Sequence, residues 1–509
     1  MAVGGVLHLA LALSFHLSPD ETHYALFAVN PQWSYFDHPP LSGWLQWPFA
    51  KLGDAVGGSD ILMRVVPMLC WWLAATGVAV LAQTLFPTVL HAGRAALVLW
   101  LLVPLAHLLG LALVPDTLLL PLLCGVMGLC WRLCSPAQRR NLRLWAALGV
   151  VLGFCGLSKY TAVFIAVGAG LVLLLAHSPR LLGQPGCWLA VSIAALLITP
   201  VIAWNATHDW ISFAYQSGHA AGNEPRQLIH VLRFVLVQVL AYGPLLVVGV
   251  WAAWRGRSLS GLPQNSSGAS VNISPTVFCL CFGLPPLLVM AWLSSRGSSL
   301  PHWSATAWLA LTPAAAAGCL ALWQNKQRWR VCLMGLGGFQ AFSVLVLLGL
   351  MLSGGVQQEE KADGAASSLP GQQPASAAFN PFADLYGWDV AARRARTLSG
   401  QNGHPTLAVF NWTLDSRIAW YAKAPVKVVQ RHLDQFGLWW GVLQPGENAL
   451  IVDWSQMSFA PPVGPTQFEQ CELLEQQPVQ RWGRQIAHFN FLLCKNWQGP
   501  KETALDRRF

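Results

Sequence analysis

The side chains able to do chemistry in this chain are few and widely spaced. Asp20 and Glu21 stand just after the first apolar run and are followed by Tyr35-Phe36-Asp37-His38-Pro39-Pro40-Leu41. Farther on, Pro115-Asp116 separates two apolar runs, Lys159-Tyr160 follows Leu157-Ser158, and His219, Arg296 and His302 come near the ends of others. A carboxylate within hydrogen-bond reach of a hydroxyl or amine can take its proton while that group attacks an electrophile. Lysine, arginine and protonated histidine can stabilise the negative charge that a departing anion carries away. These residue types therefore supply both halves of a displacement. Asp116 is the most telling of the acids, because Leu-Ala-Leu-Val-Pro115-Asp116-Thr-Leu-Leu-Leu leaves it almost no loop. A charge so close to apolar runs is costly, and a polar cavity is the expected surrounding.

The elements that must position these groups are membrane helices. The chain is 54% hydrophobic and only 10% charged, and its uncharged apolar runs reach the ~20 residues that a bilayer-spanning helix needs. The expected fold is a polytopic α-helical membrane protein of about eleven spans, near residues 2–17, 61–86, 94–113, 116–134, 144–158, 160–177, 187–204, 227–254, 276–294, 304–323 and 331–353. The first run has no basic segment before it, so an uncleaved helix is expected rather than a signal peptide.

Orientation follows from the cations. Arg94, Arg132, Arg139, Arg140, Arg143, Arg180, Arg255, Arg257, Lys326, Arg328 and Arg330 alternate to one side and mark it as cytoplasmic. The net charge of +9 is thus a topology signal and does not call for nucleic acid. Up to residue 353 the acids are Asp20, Glu21, Asp37, Asp54, Asp60, Asp116, Asp209 and Glu224, and all map to the opposite ends of the spans.

Residues 354–379 have the Gly, Gln, Ser and Pro content of a linker. Residues 380–509 read as a soluble α/β domain on the outer side. Its expected helices lie at 383–397 and 413–421, and its expected strands at 406–410, 426–429, 449–452 and 485–494. The domains are therefore 1–353, with an outer loop at 18–60 that includes an interfacial helix after Pro39-Pro40, then the linker, then 380–509. Cys471 and Cys494 alone of the cysteines fall in this outer domain, where a disulfide is plausible. The run Phe436-Gly437-Leu438-Trp439-Trp440 could stack on a sugar, lie on the membrane or fill a core.

The ordered set Pro19-Asp20-Glu21-Thr-His-Tyr24, Tyr35-Phe36-Asp37-His38-Pro39-Pro40-Leu41, Pro115-Asp116, Leu157-Ser158-Lys159-Tyr160, Gln216-Ser-Gly-His219, Ser295-Arg296-Gly297 and Leu300-Pro301-His302-Trp303 resembles the bacterial protein-mannosyltransferase and lipid A aminoarabinose-transferase superfamily. These are GT-C glycosyltransferases akin to glycosyltransferase family 39. The likeness runs through residues 1–320, while the tail resembles the variable soluble domains of many members.

The resemblance implies a donor sugar on a polyprenyl phosphate and an acceptor that is a lipid such as lipid A, a glycan or a protein. It places the chain in a bacterial inner membrane with a periplasmic C-terminal domain. Asp20 takes the base position, with Glu21 and Asp116 as companion acids. His38, Lys159 and Arg296 are the candidate phosphate-binding cations, and Tyr35, Tyr160 and His302 line the expected cavity. In the lipid A aminoarabinose transferases Glu-Lys precedes Pro-Pro, whereas here the pair is Asp37-His38, so an imidazole stands where the lysine would be.

On the residues alone, Asp20 after Ser18-Pro19 reads equally well as a helix cap. Asp37 and His219 could together hold a divalent metal, and could equally be solvated or hydrogen-bonded. A lipid or small-molecule transporter or flippase is the competing function. It would place ionisable groups near the midplane and show related halves, whereas the charged candidates here gather at one face.

Overall fold

The computed structural model describes residues 1–57, 59–221, 225–256, 273–297, 300–355, 380–429 and 434–499. Most of the linker expected at 354–379 lies outside them. Packing divides the chain into two units. Met1–Ala10 with Asn30–Leu345 form one, and Leu11–Val29 with Val346–Phe509 form the other. The segment carrying Asp20 thus packs with the C-terminal part of the chain, although it was grouped by sequence with the membrane helices.

The first unit is helical. Among the described residues seven helices are long and apolar enough to cross a membrane, and an eighth span results if Leu228–Tyr242 and Pro244–Gly256 are taken as one, bent by 99°. The expected count of about eleven is therefore not reached by full-length helices. The run at 2–17 is helical only over Ala2–Ala12. The run at 94–113 is split into Ala92–Leu101 and Pro104–Leu109, because Pro104 can start a helix but cannot continue one. The bend near residue 243 has the same origin, Gly243 at φ 91° followed by Pro244.

Small residues let the helices approach closely. A Cβ on Gly318 would meet the Gly249 carbonyl oxygen, so Ala305–Asn325 can lie tight against Pro244–Gly256. After Pro39-Pro40 the helix Leu41–Val56 forms as expected, with Leu45, Leu52 and Val56 exposed on one side. That is the apolar face an interfacial helix presents to lipid.

The second unit contains a five-stranded sheet made of β1 (Thr406–Val409), β2 (Lys427–Val428), β3 (Ala449–Trp454), β4 (Phe468–Arg481) and β5 (Arg484–Trp497), in the order β2-β1-β3-β5-β4. Strands β2, β1 and β3 run parallel, and β5 and β4 add antiparallel. The helices Trp388–Gln401 and Trp412–Ala422 accompany them. The sheet core includes Ala408, Phe410, Ile451, Phe468, Leu492 and Trp497. Strand β4 is the one strand of this sheet that sequence reading missed. Cys471 and Cys494 face each other across β4 and β5 and are disulfide-bonded.

Candidate active site

In the first unit the site is assembled from helix ends. Val114 is extended and Pro115 opens the helix Pro115–Leu133, which puts Asp116 in its first turn. An acid is favoured there by the unpaired amides and the helix dipole. The helix Leu142–Ser158 ends beside it, and Lys159 follows in extended conformation. Ser158 Oγ donates to the Pro115 carbonyl at 2.8 Å and ties the two ends together. Lys159 Nζ then lies 2.6 Å from Asp116 Oδ2, with both side chains buried. His302 Nε2 is 3.8 Å from the same oxygen.

The short turn Pro301–Ser304 that carries His302 is held by residues that sequence reading missed. Tyr242 donates its hydroxyl to the Pro301 carbonyl at 2.8 Å. Gln238 Oε1 accepts from Ser304 Oγ at 2.5 Å and from the Trp308 indole at 2.8 Å. The Trp303 ring faces Lys159, with the ammonium 5.8 Å from its centroid. A glutamine and a tyrosine within long apolar runs were the available signal, since buried polar groups in a membrane need partners.

A second cluster surrounds the double proline. His38 Nδ1 and an Asp37 carboxylate oxygen are 3.0 Å apart. The backbone of this loop is fixed by Gln216, which donates to the Asp37 carbonyl at 2.6 Å, and by Ser212, which donates to the Tyr35 carbonyl at 2.9 Å. Tyr35 is wholly buried, and its hydroxyl accepts from the Gln32 amide and donates to the Asn30 carbonyl. Its ring therefore braces the loop. Ser34, Asn205 and Ser212 are neighbours of the Tyr160 hydroxyl.

Arg296 is half-buried in the turn after the helix Pro275–Ser294. The side chain of His219 is outside the described residues. Among the described residues no group of three or more histidine, cysteine, aspartate or glutamate side chains could hold a metal ion.

In the second unit, Ser18 precedes the helix Pro19–Val29. The Glu21 carboxylate accepts from the Ser18 amide at 2.9 Å, and Ser18 Oγ lies 3.5 Å from the Glu21 amide. This is the reciprocal Ser-x-x-Glu capping arrangement, with Pro19 at the favoured first position. The cap that sequence reading considered for Asp20 is thus made by Ser18 and Glu21. Glu21 is buried, whereas Asp20 is half-exposed. The aromatic run at 436–440 packs against this helix. The Phe436 ring lies 5.6 Å from His23 and the Trp439 ring 6.0 Å from Phe27.

Comparison with known proteins agrees with this architecture. The family model for dolichyl-phosphate-mannose-protein mannosyltransferases matches residues 37–204. The lipid A galacturonosyltransferase RgtD of Rhizobium johnstonii is 23% identical over 314 residues, which are 61% of each chain. ArnT from Cupriavidus metallidurans shares the fold over 96% of both chains. The TM-score is 0.63 for its apo structure at 14% identity, and 0.63 for its undecaprenyl-phosphate-bound structure at 15% identity. In sequence over residues 37–204 and in fold through nearly its whole length, the chain is similar to the protein-mannosyltransferase-like and ArnT-like glycosyltransferases.

Proposed function

We propose that the protein transfers a sugar from a polyprenyl-phosphate donor to an extracytoplasmic acceptor, with a lipid of the lipid A type the favoured acceptor class. The observation that carries this reading is the buried Asp116–Lys159 pair with His302 beside it, built from three separate chain segments. A buried charge pair at converging helix ends, in a protein with so few charges, is expensive unless it serves a function. The RgtD relative, whose name specifies lipid A, supports the acceptor class. The structure of ArnT with undecaprenyl phosphate supports the donor carrier.

In this reaction the acceptor oxygen or nitrogen attacks the anomeric carbon and the bond to the polyprenyl phosphate breaks. Asp20 takes the acceptor proton as the new bond forms. The bonding electrons leave with the phosphate, whose charge His38, Lys159 and Arg296 stabilise. Asp116 holds the Lys159 ammonium in place. Tyr160 and His302 supply polar groups to the cavity, and Tyr35 shapes its loop.

Purified protein is to be incubated with a mixture of polyprenyl-phosphate sugars and candidate acceptors and followed by mass spectrometry, beside Asp20→Asn and Arg296→Ala. Wild type should consume one donor and release polyprenyl phosphate with a glycosylated acceptor. Asp20→Asn should bind donor and keep at most a small residual rate of turnover, and Arg296→Ala should weaken donor engagement or turnover. Full activity of Asp20→Asn would remove Asp20 as the base. The protein is further proposed to lie in the inner membrane with the C-terminal unit in the periplasm. Reporters fused after Arg180 and after Gly400 should report cytoplasm and periplasm respectively, and a cytoplasmic signal after Gly400 would reverse the topology.

A further inference from the structure

The helix Pro19–Val29 has only eleven residues, too few to be stable in isolation. Its conformation must come from what it packs on, and in the second unit that is the helix Trp412–Ala422, almost four hundred residues later in the sequence. Thr22 Oγ1 and Ser416 Oγ are 3.0 Å apart and buried, and Ser416 Oγ also donates to the Pro19 carbonyl at 3.3 Å. The Leu17 amide donates to the Tyr421 hydroxyl at 2.8 Å. His16 donates its amide to the Leu385 carbonyl, and its ring nitrogen lies 3.0 Å from the Asp389 carboxylate. Beyond Asp20, His23 meets the rings of Trp412 and Phe436, and Phe27 meets Trp439. These contacts bracket Asp20 from both sides.

Charge reinforces the arrangement. Arg417 is wholly buried, donates to the Thr413 carbonyl at 3.0 Å, pairs with Asp384 and stacks 3.6 Å from the Trp388 centroid. Its guanidinium is close enough to Asp20 to interact with that carboxylate electrostatically.

We infer that the C-terminal unit is part of the catalytic apparatus, with Thr22, Ser416 and Tyr421 acting as positioning residues that hold the Asp20 carboxylate in its working orientation. The inference rests on the reading of Asp20 as the base. It assigns the unit a role that a module used only for acceptor selection would lack. Misplacing a reacting group by ~1 Å can cost about a hundredfold in rate, so the loss of one anchoring hydroxyl should be visible in turnover.

The test uses the full-length protein with Thr22→Val, Thr22→Ser, Ser416→Ala and Tyr421→Phe, each checked for monodispersity. Two measurements are made on each. The first is hydrogen exchange of the backbone between residues 17 and 29, which requires no substrate. Tyr421→Phe and Ser416→Ala should speed it about tenfold, and unchanged exchange would overturn the inference whatever the activity. The second is turnover of the polyprenyl-phosphate sugar that the wild type consumes. Thr22→Val, Ser416→Ala and Tyr421→Phe should lower kcat about tenfold with donor KM within about twofold, and Thr22→Ser should restore the rate because it restores the hydroxyl. In an Asp20→Asn background the same changes should have no further effect on the residual rate. An equal loss in that background, or wild-type kcat in all three variants beside an inactive Asp20→Asn, would overturn the positioning role and leave the base assignment standing. A fully active Asp20→Asn would overturn both.

Discussion

Removing the ammonium of Lys159 tests whether the Asp116 pair is an assembled charge site. Asp116 is 2% exposed and Lys159 is 7% exposed, so neither charge can turn to bulk water when its partner is lost. Breaking a buried pair by deleting one member costs about 3–5 kcal/mol, because the remaining charge stays desolvated. Lys159→Met keeps most of the aliphatic volume and leaves the carboxylate facing His302 at 3.8 Å. Partial compensation by that imidazole puts the expected loss near the lower end, about 3 kcal/mol. Asp116→Asn strands the ammonium in the same way. The double variant removes both charges, so its loss should fall short of the sum of the singles by about 2–3 kcal/mol. Equilibrium unfolding in mixed micelles, followed by tryptophan fluorescence, measures all four corners of the cycle. Single losses below about 1 kcal/mol that simply add in the double would show the charges to be solvated and uncoupled, and the argument from burial would fail. Turnover gives a second reading of the same proteins. If Lys159 stabilises the leaving phosphate, the double variant stays inactive even where its stability recovers.

Two further predictions concern the C-terminal unit. The bond between Cys471 and Cys494 spans a sequence separation of 23, for which chain-entropy arguments give about 3 kcal/mol. Replacing both by serine should lower the unfolding midpoint of that unit, and an unchanged midpoint would show that the β4–β5 pairing alone closes the loop. Burial raises the Asp453 carboxyl from 3.8 to about 6, against the hydrogen bonds it accepts from Asn490, Ser458 and the Phe459 amide. A carboxyl whose folded pKa is raised contributes stability that is complete below its unfolded pKa and is lost as pH rises through the folded one. Stability of the unit should therefore lose about 3 kcal/mol from this group between about pH 4 and pH 7. Asp453→Asn should flatten that slope, and an unaltered pH profile would assign the titration elsewhere.

Much of the fold was legible because hydropathy and turn chemistry act locally. Apolar runs marked the membrane segments, and the strands β1, β3 and β5 announced themselves through runs such as Ala449-Leu-Ile-Val452. What hydropathy could not give was chain direction. The run at 94–113 is apolar apart from Arg94 and His107, yet it breaks before Pro104, and the run at 227–254 turns by 99° at Gly243-Pro244. Strand β4 was hidden for a different reason. Phe468–Arg481 lies at the sheet edge with only two of its fourteen residues buried, so Glu and Gln fill positions where a buried strand would show alternating apolar residues. At the site each charged residue stood out by type. The closeness of Asp116, Lys159 and His302 did not, because their separations in sequence carry no trace of which helix ends converge.

Asp20 and Glu21 show how local physical demands can separate two residues that sequence alone leaves equivalent. A helix beginning at Pro19 leaves its first amides without intrahelical partners. The Ser-x-x-Glu spacing meets that need reciprocally, with Glu21 reaching back 2.9 Å to the Ser18 amide. That contact commits one carboxylate oxygen of a side chain that is already buried. Asp20, one residue earlier, takes no part in these two cap bonds and keeps partial exposure. A general base must reach an acceptor proton at about 2.6–3.2 Å, which a half-exposed carboxylate at the start of a firmly held helix can do more readily than one spent on the helix itself. The short helix is thus held from within by Glu21 and from outside by the Ser416 and Tyr421 hydroxyls, and Asp20 is the acid of the pair that these cap bonds do not use, as the role proposed for it requires.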